Sequence, residues 1–121
     1  MIPNRYGRII KIASVASLRG DYFRYIAYST SKAGAINWTR ALASEWGQHN
    51  ITVNAVAPGT FDAGMMTDKV DQVRDTVLAR APLGRLGDDD DLKGVAVLLA
   101  SDASRYITGK VIAVDGGNSV T

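Results

Sequence analysis

A tyrosine and a lysine stand four positions apart in a Tyr-x-x-x-Lys motif, at Tyr28 and Lys32. On a helix, this spacing puts both side chains on the same face, about one turn apart. A phenol is a poor base at neutral pH because its unperturbed pKa is about 10, and a nearby ammonium favours the phenolate. The pair therefore predicts a proton-transfer site.

The same spacing occurs a second time, at Tyr106 and Lys110. Thr108 and Gly109 lie between these two residues and disfavour a helix there. We therefore expect that the second pair does not share a face, and we interpret it as a coincidence near the start of a strand.

The pattern of apolar residues predicts the elements that position Tyr28 and Lys32. Strands are expected at 8–14, 51–57 and 110–115, and helices at 25–46, 65–81 and 92–99. Gly47 is expected to end the first helix, and Pro58 to end the second strand because proline has no N–H. Apolar strands that alternate with helices indicate an α/β fold with a parallel sheet.

Ser14 ends the first predicted strand, and the turn at Pro58 and Gly59 ends the second. Ligands of doubly wound sheets bind at the carboxyl ends of the strands. We therefore expect Ser14, the Tyr28 pair and this turn to meet at one edge of the sheet.

Composition and charge exclude several other classes of function. The chain has no cysteine, one histidine (His49) and a formal net charge of +2 without a basic stripe, so thiol catalysis, a multi-histidine metal site and nucleic-acid binding are not expected. No apolar run reaches the roughly 20 residues of a membrane helix, and no signal peptide is evident. The expectation is a soluble, cytoplasmic chain. The acidic run 88–91 is expected to cap the following helix through Asp88 or Asp89, and no metal site is expected.

Five sequence motifs occur in order between Gly7 and Gly117: GRIIKIASVAS, YSTSK, ITVNAVAPG, PLGR and SRYITGKVIAVDGG. Together they resemble the classical short-chain dehydrogenases/reductases, and especially the gluconate dehydrogenase and 3-oxoacyl-carrier-protein reductase type. The resemblance implies an α/β fold, the C-terminal half of a Rossmann-type doubly wound parallel sheet with about three strands and flanking helices. It also implies an oxidoreductase that uses NAD or NADP on a secondary alcohol or its ketone, such as a sugar acid, a polyol or a 3-oxoacyl substrate.

The resemblance also implies a role for each catalytic residue. Ser14 would hydrogen-bond the substrate oxygen, and Tyr28 would exchange a proton with that oxygen. Lys32 would hold the phenolate and contact the ribose hydroxyls. The loop after Ser14 is longer than the common family pattern, so Ser17 competes for the role of Ser14.

Cofactor binding would involve Tyr28 and Lys32 together with the turn at Pro58, Gly59, Thr60 and Phe61, which would seat the nicotinamide. Residues 65–85 would form a lid over the substrate. Where the family often has a cofactor-binding threonine, this chain has Ala63, and Thr60 or Thr67 is the candidate replacement.

No G-x-G turn of the kind that holds a pyrophosphate occurs in the 121 residues. The chain is therefore expected to be a single partial domain, 1–121, without the N-terminal dinucleotide-binding half and without measurable NAD(H) affinity by itself. Strand 8–14 would then be an exposed edge. Two interpretations stay open: half of an enzyme, which in this family forms homo-oligomers through the 25–46 helix, or an inactive truncated fragment with an interaction or structural role.

Overall fold

The computed structural model describes residues 1–19, 26–62 and 70–120 of the chain. Within these ranges, three parallel strands form one sheet in the order β1-β2-β3, flanked by helices. The strands are β1 (Gly7–Ile12), β2 (Ile51–Pro58) and β3 (Val111–Val114), and the helices are α1 (Ile26–Trp46), α2 (Val70–Arg80) and α3 (Lys93–Ala100). This arrangement confirms the predicted Rossmann-type parallel α/β fold.

β2 is the central strand and is buried along nearly all of its length, as expected for a strand with neighbours on both sides. Its register places Ile51 beside Gly7 of β1 and Ala55 beside Val111 of β3. The carboxyl ends of β1 and β2 therefore lie side by side, and this edge of the sheet carries the predicted site residues.

Pro58 belongs to β2, so the expectation that this proline ends the strand pairing is wrong. The N–H groups of Ala55 and Gly59 donate to carbonyls at Lys110 and Val114, on the β3 side of β2. Because donors alternate along a strand, the N–H that Pro58 lacks would point toward β1, which ends at Ile12 opposite Val56. The proline therefore occupies a position where no hydrogen bond is needed.

α1 packs on the face of the sheet that carries the odd-numbered residues of β2. Val53 and Ala55 are fully buried there, and Ile36 and Ala43 of the helix are buried with the same clusters. Ala27, Ala33 and Ala41 of the same helix are exposed, so the apolar residues of α1 are not confined to its buried face.

α1 ends at Trp46, directly before Gly47, which confirms the predicted end of this helix. A 3-10 turn, Gly47–His49, follows, and the left-handed residue that closes it is Asn50, with φ of 58°. Asparagine tolerates this conformation. Its side-chain amide donates to the carbonyl of Arg5 at 2.9 Å, which joins the amino end of the chain to this turn.

The acidic run does not cap α3, so that expectation is wrong as well. The residue that precedes the helix is Leu92, and no side chain bonds its first turn. The carboxylate of Asp91 instead accepts from the N–H of Asp88 at 2.8 Å, and that of Asp88 accepts from the N–H of Asp90 at 2.9 Å. The run folds on itself as a tight turn ahead of the helix.

Candidate functional site

Lys32 and Tyr28 meet at the carboxyl end of β1, where the first turns of α1 pass the sheet. The Lys32 ammonium donates to the carbonyl of Ile12 at 3.1 Å and lies 5.7 Å from the centre of the Tyr28 ring, over its face. The Tyr28 side chain is 42% exposed. A fixed cation therefore stands beside a phenol that an incoming molecule can reach.

Ser14 follows β1 directly and has extended backbone geometry, with φ of −165° and ψ of 151°. It begins the 3-10 turn Val15–Ser17, and its hydroxyl oxygen accepts from the N–H of Ala16 at 3.2 Å. The side chain is buried, and a hydroxyl that accepts one bond can still donate its own proton. The Ser14 hydroxyl thus lies at the end of the strand and retains the capacity to donate a hydrogen bond.

Ser17 is placed differently from Ser14. Its hydroxyl and its N–H both donate to the Ser14 carbonyl, the latter at 3.0 Å. The Ser17 hydroxyl proton is used within the turn itself. Of the two candidate serines, Ser17 uses its hydroxyl proton to hold the backbone of Ser14, whereas the Ser14 hydroxyl accepts from Ala16.

The turn after β2 is packed tightly against the end of β3. The Gly59 N–H donates to the carbonyl of Val114 at 2.9 Å, and a Cβ at Gly59 would lie 2.8 Å from both Cα and Cβ of Asp115. Because the first of these atoms belongs to the backbone, only glycine fits here. The structure therefore explains Gly59 by strand packing alone.

Thr60 and Phe61 are held by the loop that contains Gly87. The N–H of Gly87 donates to the carbonyl of Thr60, and its own carbonyl accepts from Asp62, each at 3.0 Å. A Cβ added at Gly87 would lie 2.6 Å from the Phe61 ring, so the ring packs directly against this glycine. Of the two candidates for the cofactor-binding threonine, Thr60 belongs to the described residues and Thr67 does not. Ala63 and the first part of the predicted 65–85 lid also lie outside the described residues.

A cavity of about 470 Å³ opens beside Thr60 and Phe61, between the 82–87 loop and the turn after β3. Its lining does not include Ser14, Tyr28 or Lys32. The predicted residues therefore form two neighbouring groups along one edge of the sheet. One group, at the end of β1, contains the residues predicted to transfer a proton, and the other group lies at the end of β2.

Arg85 and Asp91 form a bidentate ion pair beside this cavity, with N–O distances of 2.6 and 2.7 Å. The hydrogen bonds from Arg85, together with the bond from Asp88 N–H, hold the pKa of Asp91 well below its usual range. The hydrogen bond and charge of Asp91 raise the pKa of Arg85. The PLGR motif and the acidic run that follows contain both residues, but no local pattern in the sequence links them.

The second Tyr-x-x-x-Lys pair is not helical. Asn54 of β2 accepts from the N–H of Lys110 at 3.1 Å and donates to the carbonyl of Ile107 at 2.9 Å, which holds this segment extended toward β3. Tyr106 is fully exposed. The expectation that this pair does not lie on a helix is confirmed.

Across residues 1–19, 26–62 and 70–120, no group of three or more histidine, cysteine, aspartate or glutamate side chains is arranged to hold a metal ion. The helices in the same ranges include none long and apolar enough to cross a membrane.

Comparison with protein families gives a match over residues 1–119 to the profile described as enoyl-(acyl carrier protein) reductase. The 3-oxoacyl-[acyl-carrier-protein] reductase of Thermotoga maritima is 43% identical, over 97% of this chain and 47% of the relative. The 2-dehydro-3-deoxy-D-gluconate 5-dehydrogenase of Dickeya dadantii is 47% identical, over 92% of this chain and 44% of the relative. The chain thus spans about half the length of these relatives.

Solved structures also show similarity to dehydrogenases and reductases over about half of their length. A protein from Beutenbergia cavernae, assigned as an NAD(P)-dependent gluconate 5-dehydrogenase and solved with NADP bound at low occupancy, is 41% identical. It superposes with a TM-score of 0.95 over 100% of this chain and 49% of its own. A 3-oxoacyl-[acyl-carrier protein] reductase from Brucella melitensis is 31% identical, with a TM-score of 0.92 over 100% of this chain and 45% of its own.

Proposed function

Because this chain belongs to the short-chain dehydrogenase/reductase family, we propose that it carries the proton-transfer site of an NAD(P)-dependent oxidoreductase. The substrate would be a secondary alcohol or the corresponding ketone. The observation that carries this proposal is the Lys32 ammonium, which is anchored on the Ile12 carbonyl and lies 5.7 Å from the centre of the exposed Tyr28 ring.

The three residues at the end of β1 divide the chemistry among them. In the direction of oxidation, the Tyr28 oxygen takes the proton of the substrate hydroxyl; in reduction, it returns a proton to the carbonyl oxygen. The positive charge of Lys32 stabilises negative charge that develops on the Tyr28 oxygen during the transfer. Ser14 donates a hydrogen bond to the same substrate oxygen and so stabilises charge that develops there.

The residues present suit the nicotinamide end of a dinucleotide. The Lys32 ammonium has three N–H donors and gives one to the Ile12 carbonyl, which leaves two for ribose hydroxyls. The turn at Gly59, Thr60 and Phe61 follows the neighbouring strand at the same edge. When bound, the nicotinamide accepts or donates the hydride at the substrate carbon. The contribution of this chain is to orient that ring and to move the proton.

The substrate class is proposed from the relatives, whose names point to sugar acids and 3-oxoacyl thioesters. A direct test incubates the purified protein with NADP and D-gluconate, or with NADPH and a 3-oxoacyl thioester, and follows the absorbance of the reduced nicotinamide. Each mixture is repeated with the half of the Dickeya dadantii relative that this chain does not match, expressed separately. We expect turnover in the reconstituted mixture; a rate equal to that of the same mixture carrying Tyr28→Phe would contradict the proposal.

An inactive fragment with an interaction role is the second candidate, and the sheet edge favours it. β1 pairs only with β2 among the described strands, and Ile12 at its end is 53% exposed. Such an edge offers unpaired backbone groups to another chain. The reconstitution separates the enzyme from the inactive fragment, since binding of the added half without turnover would support only the interaction role.

We also propose that α1 contributes to a homo-oligomer. Trp38 is 47% exposed on this helix, and the Lys11 ammonium lies 5.5 Å from the centre of its ring. Large exposed aromatic residues are enriched at interfaces. Sedimentation of the wild type and of Trp38→Glu tests this proposal: a monomer at all concentrations for the wild type would overturn it.

A further inference from the structure

Arg19 links the segment that follows Ser14 to the turn at 115–119, near the other end of the chain. Its guanidinium donates to the backbone carbonyl of Asn118 at 2.7 Å, across 99 positions of sequence. The bond is partly buried, and Asn118 itself is only 3% exposed. Because this hydrogen bond is charge-assisted and partly shielded from water, it holds the two segments together more firmly than an exposed contact would.

The turn that accepts this bond is itself firmly held. The carboxylate of Asp115 accepts from the N–H groups of Gly117 and Ser119 at 3.1 and 2.7 Å. The carbonyl of Gly116 accepts from the N–H of Leu83 at 3.1 Å, which ties the turn to the loop before α3. The turn is therefore a fixed anchor for the guanidinium.

The segment that Arg19 ends is the one that carries Ser14. The N–H of Ala13 donates to the carbonyl of Val56 in β2 at 2.7 Å, which fixes the start of this segment on the sheet. The N–H of Ser17 donates to the Ser14 carbonyl at 3.0 Å, which closes the turn after the strand. Ser14 thus lies between two attachments, one to the sheet and one through Arg19.

We propose that Arg19 is a positioning residue for Ser14, because its bond to Asn118 fixes the turn that sets the place of the Ser14 hydroxyl. The inference rests on the proposed function, which gives Ser14 its role. Residues 115–117 also line the cavity of about 470 Å³ at the end of β2. Through one hydrogen bond, Arg19 therefore joins the proton-transfer group at the end of β1 to the group at the end of β2.

Amide hydrogen exchange of the ¹⁵N-labelled protein, followed by NMR, tests this anchor without catalysis. Arg19→Met removes the guanidinium and keeps an unbranched apolar side chain. We expect the Ser17 N–H to exchange about tenfold faster, as for the loss of one charge-assisted hydrogen bond. Arg5→Met is the matched control, since Arg5 also donates to a backbone carbonyl, that of Gln48 at 2.9 Å, but at the amino end of the sheet. Unchanged exchange in Arg19→Met, or an equal increase in both variants, would overturn the proposal.

Kinetics of the reconstituted mixture separate positioning from a purely structural role. We expect Arg19→Met to lower kcat about tenfold, because the Ser14 donor is present but less well placed, and to leave the KM for NADP unchanged. Arg19→Lys should recover most of the rate, since one ammonium N–H can donate to the same single carbonyl. An unchanged kcat in Arg19→Met would overturn the proposal. A wild-type mixture without turnover would contradict the proposed function instead, and the exchange measurement would still decide whether Arg19 anchors the turn.

Discussion

The ammonium of Lys32 donates to the carbonyl of Ile12, the last residue of β1, at 3.1 Å. This bond ties the motif helix to the strand that leads into Ser14. It sets the position of the lysine beside Tyr28 without any help from the cofactor. The proposed proton-transfer group is therefore preorganised by backbone as well as by helix spacing.

Replacement of Tyr28 by phenylalanine removes the hydroxyl that exchanges the proton. We expect the turnover rate of the reconstituted protein to fall by about 10² to 10⁴, the usual contribution of a positioned acid or base. The control is Tyr106→Phe, which alters the other Tyr-x-x-x-Lys pair at a fully exposed position. Similar losses in both variants would mean that Tyr28 has no special role.

Replacement of Ser14 and replacement of Ser17, in the turn after β1, are expected to change kcat by different amounts. Ser14→Ala removes the donor to the substrate oxygen and is expected to lower kcat by about 10² to 10³, as for other donors of this kind. Ser17→Ala leaves that donor in place and loses a bond to the Ser14 carbonyl, so we expect a drop of less than about tenfold. Steady-state kinetics of both variants decide the assignment, and the reverse order would make Ser17 the catalytic serine.

Gly59→Ala tests the close packing of β2 on β3. The added methyl would lie 2.8 Å from the backbone of Asp115, and we expect a loss of about 1 to 3 kcal/mol in the free energy of unfolding. Gly34→Ala is the contrasting variant, because a Cβ there meets nothing within 4 Å on α1. It should stabilise the protein by about 0.5 to 1 kcal/mol. Urea denaturation measures both, and an unchanged stability for Gly59→Ala would contradict the packing argument.

The Arg85–Asp91 pair predicts a stability that depends on pH. The folded pKa of Asp91 is depressed, so its contribution is full above the ordinary carboxyl value of about 4 and is lost as the pH falls further. Asp91→Asn should therefore lower the urea midpoint at neutral pH, with a difference from wild type that shrinks on acidification. High salt should weaken the effect because the pair is exposed.

Asp89→Asn is the matched control for this pair, since it changes an exposed neighbour in the same acidic run. We expect its unfolding midpoint to follow the wild type at every pH. If the urea midpoints of wild type and Asp91→Asn differ by the same amount at every pH, the loss of stability comes from packing rather than from charge.

The strands and the long helix could be predicted from the sequence because their apolar patterns are local. The Tyr28 and Lys32 spacing likewise fixes a shared helix face. Residues whose partners are distant in sequence could not be assigned in this way. Asn54 is a polar residue in the middle of a buried strand, and only the fold reveals that its amide holds the 107–110 segment.

The predictions that the acidic run caps α3 and that Pro58 ends the pairing of β2 were wrong for a related reason. An acidic run before a helix and a proline at the end of a strand each have a common local interpretation. In this fold, Arg85 competes for Asp91, and the end of β1 removes the bond that Pro58 would have broken. Tertiary contacts decided both cases.

The order β1-β2-β3 has a kinetic consequence. Gly7 pairs with Ile51, and Ala55 with Val111, so every ladder of the described sheet joins distant parts of the chain. Long loops must close before any of these bonds forms, which makes such sheets slow to fold. The backbone hydrogen bonds within α1 are local, so this helix can form early. β1 is made first and must therefore wait, with its edge unpaired, until β2 is available to pair with it.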